Sequence, residues 1–455
     1  MIGFNSRQHG MELQKQLREI IRHQGSGSID ETRFLLESLW PTEIASLLES
    51  SPLKVRRVLW ELLDEEDAGQ VLQHLHDDVR AEFLEAMDAE QLVAATDDLD
   101  IDDFADIVQQ LPDTLSRQVL ASLDASDRAR LEAVLSYPED TAGGLMDTET
   151  ITVRPRHSIE IVLRYLRLRK ELPHTTDALI VTNDRQEYAG ILPISKLLTS
   201  DPSVTVREVM NSEVEPIRYD LPDTEVARIF SDLDLVSAPV VDDHGKVIGR
   251  ITIDDVVDVI IEDAEEAMLA PAGLDIEDDT FAPIFKAARR RALWLTINLL
   301  TAFLASAVIN IFEATIAKVV ALAVLMPIVA SMGGIAGTQT LTLVIRGLAT
   351  GQIGRANLFY LLNREFVVAV VNGLLMAGFV AAAAALVFQD AMLGGVIAIA
   401  MVVNLVMAAV AGSLLPSMLT ALRIDPAIAG GVVLTTITDV TGFFVFLGLA
   451  TWAYA

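Results

Sequence analysis

Asp425 to Leu449 reads DPAIAGGVVLTTITDVTGFFVFLGL, a membrane-length apolar run with a single carboxylate, Asp439, near its middle. A charged side chain at the centre of a bilayer is costly, and such residues face a water-filled cavity or a partner. No Lys, Arg or His between Asp425 and the C-terminus can neutralise it. Thr435 and Thr436, at i−4 and i−3, place hydroxyls on the same helical face. Two readings follow: a protonated carboxyl hydrogen-bonded to a neighbouring helix, or an ionised one lining a cation pathway.

The rest of the chain divides by charge. Residues 281–455 hold five acidic residues (Glu313, Glu365, Asp390, Asp425, Asp439) and nine basic ones, net +4, whereas the preceding 280 residues hold 59 acidic and 25 basic, net −34. An acidic soluble half is joined to a half with runs long enough to span a bilayer. With no cysteine, neither a disulfide framework nor a Cys-based zinc site is available. The stretch MIGFNSRQHGMELQKQLREI lacks the apolar core of a signal peptide, so the acidic half is expected in the cytoplasm. No nucleic-acid partner is expected.

The acidic half begins with a repeat. Bulky apolar patterns start at Val58, Val71, Phe83, Ala95, Ile107 and Val119, spaced 13, 12, 12, 12 and 12 residues apart. A carboxylate or turn former follows each one (Asp64, Asp77, Asp88, Asp100, Pro112-Asp113, Asp124) and can cap the next helix. Asp88-Ala89-Glu90-Gln91 has the capping-box form. Helices of about two turns cannot bury an apolar face alone, so they must stack into an α-solenoid, here 31–138 after a tail at 1–30.

From about residue 139 to 255 the period changes. Strand-like runs (151–153, 178–181, 238–241, 247–248) alternate with helices at 158–171 and 222–234. Gly190-Ile191-Leu192 corresponds to Gly249-Arg250-Ile251, and Gly144-Leu145-Met146 to Glu208-Val209-Met210. This duplication resembles a pair of CBS modules, α/β repeats that often sense adenosine nucleotides or ions. The resemblance implies ribose contacts from Thr252 and Asp255. The first copy has Pro193 and Lys196 in those places, so at most one competent ATP site is expected; a pair that only packs and dimerises is the alternative.

An acidic helix from Val256 to Leu269, with no breaker before Pro271, and a basic cluster (Lys286, Arg289, Arg290, Arg291) fill 256–290. The cluster fixes the start of the first membrane helix in the cytoplasm. Five spans fit within 291–455: 291–312, 318–346, 361–388, 392–422 and 427–453. Arg346, Arg355, Arg364 and Arg423 then fall inside, only Lys318 falls outside, and the C-terminus is outside. The second span, PIVASMGGIAGTQT at 327–340, and the fifth both read as interrupted by glycines and polar residues. Non-helical backbone at such depth must line a cavity or be buried, although glycines also serve close helix packing. Candidate pore-lining residues are Gly333, Gly334, Gly337, Thr338, Gln339, Thr435 and Thr436. Five helices make a small bundle, so a symmetric homodimer bringing two Asp439 together is expected.

Solenoid, CBS pair, connecting helix and five spans in this order resemble the MgtE family of bacterial magnesium channels over nearly the whole chain. PIVASMGGIAGTQ with LVIRGLA, and DPAIAGG with LTTITDVTG, are similar to its two membrane signatures. The resemblance implies a multidomain fold and a homodimeric, Mg2+-selective channel of the bacterial inner membrane that cytoplasmic Mg2+ closes. It places the permeating ion on Asp439 and regulatory Mg2+ among Asp102, Asp106, Asp232, Asp234, Asp255, Asp258, Asp263 and Glu266, with Asp425 at the cytoplasmic mouth. The chain departs from some members at Ile335, Thr338, Gly431-Val432 and near Ala267. One carboxylate with hydroxyls suits a hydrated Mg2+ independently, and the lack of His and Cys argues against softer metals. A broader divalent (Mn2+/Co2+) transporter or a membrane receptor with a CBS regulatory unit is the alternative. An intramembrane aspartyl protease would need a second catalytic carboxylate, and a coupled transporter a second mid-membrane ionisable group.

Overall fold

Short helices follow one another from Ser28 because each apolar pattern is cut off by a turn after about two turns of helix. The computed structural model describes residues 28–96, 99–169, 172–173, 175–274, 280–349, 352–354 and 357–455. Most of the expected tail at 1–30, and Arg355, lie outside them. The described residues form two compact units, one of residues up to Glu265 together with 280–282 and the other of 266–274 together with Pro283–Ala455.

The first unit opens with α1 (Ser28–Leu36), α2 (Pro41–Glu49), α3 (Leu53–Trp60), α4 (Glu65–Gln73), α5 (Asp77–Leu84), α6 (Ala89–Ala95), α7 (Ile101–Gln109), α8 (Asp113–Ser122) and α9 (Ala125–Val134). Alternate members stack, α2 on α4, α4 on α6, α6 on α8 and α7 on α9. The repeat positions Val71, Phe83, Ala95, Ile107 and Val119 are buried as the 12-residue spacing requires, while Val58 is exposed. Gly69 lets α4 approach α6, since a Cβ there would lie 1.8 Å from the Ala95 carbonyl oxygen. The capping box at Asp88 and Gln91 forms, and Asp124 also caps through its side chain. Asp64 and Asp100 occupy N-cap positions without a side-chain bond, and Asp77 starts α5 after His76.

Two three-stranded sheets follow. In the first, β1 (Thr152–Val153) runs parallel to β2 (Ala178–Thr182), which pairs antiparallel with β3 (Tyr188–Pro193); α10 (Ile159–Arg169) connects β1 to β2, and α11 (Ile194–Thr199) and α12 (Val206–Val209) follow. The second repeats this with β4 (Ile217–Arg218), α13 (Asp223–Leu233), β5 (Ser237–Val241) and β6 (Val247–Thr252). Ala178 faces Pro193 as Ser237 faces Thr252, so the duplication is in the register that the sequence implied. Sequence patterning missed β3 and β4 and shortened β6. The copies are crossed: Asp147 bridges to Arg250 of the second sheet, and its counterpart Asn211 to Ile191 of the first. Then α14 (Ile253–Leu269) grows directly out of β6, starting earlier than 256, and a 3-10 turn (Ala270–Ala272) ends it.

The second unit holds α15 (Ile284–Ile311), the short α16 (Glu313–Lys318), α17 (Ala321–Ala349), α18 (Leu358–Phe388), α19 (Ala391–Ala421) and α20 (Pro426–Ala453). The five long helices are each long and apolar enough to cross a membrane. Two boundaries differ from the sequence reading. The first helix starts at Ile284, so Lys286 and Arg289–Arg291 lie on its opening turns, and Lys318 ends α16 rather than starting the second span. Nor are the glycine-rich spans broken: α17 runs unbroken through Pro327, Gly333, Gly334 and Gly337, and α20 through Gly430-Gly431. In hydrocarbon each backbone group must find its partner within the helix, and neighbours fill the space that the glycines leave. Asn404 packs on Gly333, Leu434 on Gly337 and Leu341 on Gly430. α19 sits centrally, packing on α17, α18 and α20 and burying Ile397, Ala400, Met401 and Ala408.

Candidate functional site

The polar face of α17 and the carboxylate of α20 meet in an open cleft of about 590 Å³. Ala330, Ser331, Gly334, Ile335, Thr338 and Gln339 form one wall, and Thr435 and Asp439 the other. Residues 331, 334/335 and 338/339 recur at three- and four-residue steps, which keeps them on one face; Thr435 and Asp439 are one turn apart for the same reason. Among the described residues no side chain hydrogen-bonds or ion-pairs with Asp439. Its carboxylate is therefore available to something in the cleft.

Of the expected pore-lining residues, Gly334, Thr338, Gln339 and Thr435 are in this cleft, and Gly333, Gly337 and Thr436 are not. A Cβ at Gly333 would lie 2.3 Å from Asn404 Nδ2, and one at Gly337 2.9 Å from Leu434 Cδ2, so both glycines serve helix contact. Thr436 donates to the Val432 carbonyl oxygen at 2.7 Å, and Thr435 to Gly431 O at 3.0 Å and Val432 O at 3.1 Å. Thr435 thus offers the cleft oxygen lone pairs rather than a proton.

A second cavity of about 310 Å³ shares Thr338 and Thr435 with the cleft and is bounded by Ala272, Gly273, Trp294, Ala427 and Gly431. Asp425 caps α20 beside it, its Oδ1 accepting from Ala427 N at 2.7 Å. Two residues were missed from sequence. Glu365, 7 % exposed, accepts from Thr340 Oγ1 at 3.4 Å and Arg364 Nη1 at 2.9 Å. It is a buried carboxylate in the membrane unit, whereas Asp439 is half-buried, and it lies on α18 outside the cleft. Asn404, 1 % exposed, reaches α17. A lone polar residue in an apolar helix was the available signal for both.

In the first unit the acidic residues gather at two places. Asp102 and Asp103 on α7, Asp147 before β1 and Asp255 on α14 surround one of them. Burial, then Asp255 and the other carboxylates, hold Asp102 well above the usual carboxylate range. Burial, reinforced by Asp255, pushes Asp103 up to about 8, against a 2.6 Å hydrogen bond from Gln73 Nε2. Burial and Asp254 push Asp255 up to about 7. Asp102 Oδ1 is buried without a hydrogen bond. The Arg250 guanidinium, 3.4 Å from Asp147, answers one of these charges.

The other place is a cavity of about 500 Å³ lined by His74, Asp77, Arg80, Asp106, Glu139, Asp140, Asp223, Asp258, Glu262 and Glu265. Burial, then Glu139, pushes Asp106 up to about 7, with Arg80 opposing. Burial also raises Asp258, Glu262 and Asp263, with Asp223 adding to the last. Among the described residues no three carboxylates or imidazoles converge closely enough to hold an ion as they stand. Asp232 and Asp234 reach neither place: both are exposed at the end of α13, where Asp234 takes the left-handed C-cap conformation. Glu266 belongs to the second unit. Thr252 and Asp255 bond each other, Thr252 Oγ1 to Asp255 Oδ2 at 2.9 Å, and so cap α14.

The family description "Divalent cation transporter" (MgtE) matches residues 326–449, which hold both cleft walls, and "MgtE intracellular N domain" matches 39–140. Over 97 % of this chain and 97 % of its own length, the magnesium transporter MgtE of Thermus thermophilus is 32 % identical. The chain belongs to the MgtE family. Its likeness to the Bacillus subtilis magnesium transporter MgtE is 29 % identity over 93 % of this chain and 94 % of that protein. The CBS description matches 206–262, the second copy of the duplication. A solved cytosolic domain of the Mg2+ channel MgtE in complex with ATP is 33 % identical, covering 54 % of this chain and 99 % of that one with a TM-score of 0.48. The relatives' names describe magnesium transport, and the description matching the stretch that holds both cleft walls is that of a divalent cation transporter.

Proposed function

We propose that the chain is a Mg2+-selective channel of the bacterial inner membrane, working as a homodimer, with its N-terminal half in the cytoplasm and its C-terminus outside. The observation that carries this is Asp439, unpaired in a cleft whose other polar groups are Thr435, Thr338, Gln339 and Ser331. Mg2+ gives up its water reluctantly and is usually held by one or two carboxylates with several waters retained. One Asp439 from each of two chains, with hydroxyl and amide oxygens around the retained waters, meets that requirement. Ser331, Thr338 and Gln339 are exposed on a membrane helix. Such groups need a protein or water partner at that depth, and a second copy supplies it.

The acidic places in the first unit are the regulatory part of the proposal. Burial and neighbouring carboxylates raise the pKa values of Asp102, Asp106, Asp255, Asp258 and Asp263; Mg2+ bound there would favour their ionised forms, displace any protons to solvent and fasten α7 and α14 together. Its loss would let repulsion part them, and this change, passed along α14, opens the channel. The Thr252–Asp255 turn takes at most one adenine nucleotide, as its Mg2+ complex, because a bare polyphosphate would meet Asp102 and Asp103.

Mg2+ uptake into proteoliposomes of purified protein, followed with a trapped dye, is the test. Uptake without a coupled proton or sodium gradient, suppressed by millimolar Mg2+ on the cytoplasmic face, supports the proposal. Mn2+ or Co2+ uptake at equal rates favours the broader divalent transporter, and no uptake of any divalent ion favours the receptor.

A further inference from the structure

Asn404 lies at the middle of α19, where a polar side chain is costly in hydrocarbon. Nδ2 donates to the carbonyl oxygen of Val329 on α17 at 2.9 Å, while Oδ1 is buried without a partner. Glycines make room for it on two other helices. A Cβ at Gly333 of α17 would lie 2.3 Å from Nδ2, and one at Gly442 of α20 2.8 Å from the same atom. Gly333 is the neighbour of Gly334, which lines the cleft, and Gly442 lies three residues beyond Asp439. A Leu would fill this volume with no unpaired oxygen, so packing alone does not account for an Asn.

We infer that Asn404 is a positioning residue for cation passage: its amide ties α17 to α19 at Val329 and packs on Gly442 of α20, and so keeps Gly334 and Thr338 opposite Asp439. The inference rests on the proposed transport function, but its geometry does not. Turning α17 by one residue, about 100°, would carry Thr338 out of the cleft and change which oxygens face the ion. Among the described residues this is the only hydrogen bond from an α19 side chain to the α17 backbone at this level. Apolar contacts nearby, such as Val329 with Gly442, tolerate sliding far better than a directional bond does.

The chain has no cysteine, so single cysteines report their own exposure. In the full-length protein, Thr338→Cys, in the cleft, should react quickly with a water-soluble thiosulfonate, and Thr340→Cys, buried beside Glu365, slowly. Introducing Asn404→Leu, which keeps volume and removes the donor, should lower the 338-to-340 labelling ratio by roughly 3- to 20-fold, the span of measured interhelical side-chain bonds. The pair Asn404→Ala with Gly333→Ala restores bulk without the bond and should show the same lowered ratio. Where Asn404→Leu is not recovered folded, Gly333→Ala alone, which displaces the amide from Val329, replaces it. The Mg2+-to-Mn2+ uptake ratio of the same variants should fall while Asp439 is intact. An unchanged labelling ratio overturns the register role, and a changed one with an unchanged uptake ratio overturns the specificity role. If the parent protein moves no ion at all, the labelling result still decides the register and the fault lies with the transport reading.

Discussion

Replacing Asp255 with Asn should make the first unit more stable at neutral and alkaline pH without divalent ions, although it removes a charged hydrogen-bond acceptor. In the folded chain, burial and then Asp254 push Asp255 from 3.8 up to about 7, while hydrogen bonds from Thr252 pull the other way. A folded pKa above the unfolded one means that the folded chain holds the proton more tightly. Stability from this group is therefore complete below 3.8 and is lost as pH rises through about 7. About three pKa units at about 1.4 kcal/mol each give an upper limit of ~4 kcal/mol. Neighbouring carboxylates titrate together and Asn keeps an acceptor for Thr252, so a net gain of about 1–2 kcal/mol is expected. Hydrogen exchange of the amides in Ile101–Gln109, measured in the full-length protein from pH 6 to 9 with chelator and corrected for intrinsic rates, reads it. Protection in the parent should decline with pH by up to ~1.4 kcal/mol per unit for each proton lost, Asp255→Asn should flatten the decline, and Mg2+ should protect the parent more than the variant. Equal pH slopes in the two proteins, or a variant less protected at pH 8, would refute the reasoning.

Gly69→Ala puts a methyl 1.8 Å from the Ala95 carbonyl oxygen, backbone against backbone, and should cost about 1–3 kcal/mol or more, measured by denaturant unfolding. At Gly273, φ is +68° and a Cβ would lie 2.9 Å from the Trp294 ring, so Gly273→Ala should loosen the turn beside the smaller cavity. Dye-monitored uptake should then persist at cytoplasmic Mg2+ levels that silence the parent. Isothermal titration with Mg2+-ATP should find no more than one site per chain, abolished by Thr252→Val; two sites would mean that Pro193 and Lys196 do not disable the first copy.

The solenoid and the duplication were legible because their signals are local: a buried pair every 12 residues, and Gly190 repeating as Gly249. Asp439 stood out in sequence as the carboxylate inside the last apolar run, and the structure puts it on the wall of the cleft shared with α17. Glycine was not legible, since the same residue lines the cleft at Gly334 and serves a helix contact at Gly333, and only the neighbour across the gap decides. Helix continuity through Pro327 was misjudged for a related reason: the sequence shows a breaker but not the helices packed around it. Which carboxylates meet also depends on tertiary placement. Asp102 and Asp255 come together from 153 positions apart and draw in Asp103 and Asp147, which sequence alone did not single out, while Asp232 and Asp234 stay exposed. The resemblance to CBS modules implied ribose contacts from Thr252 and Asp255, and in the structure Asp255 Oδ2 accepts from Thr252 Oγ1 at 2.9 Å and from Thr252 N at 3.3 Å at the start of α14.

The most direct measurement is Mg2+ uptake into proteoliposomes carrying the parent, Asp439→Asn or Asp439→Ala, each first shown to elute as a single folded species. Asp439→Ala should abolish uptake, and Asp439→Asn should weaken it and raise the Mg2+ concentration needed for half-maximal rate, because an uncharged acceptor remains. Full Mg2+ uptake by folded Asp439→Ala would contradict the account and leave Asp439 as a protonated, structural carboxyl.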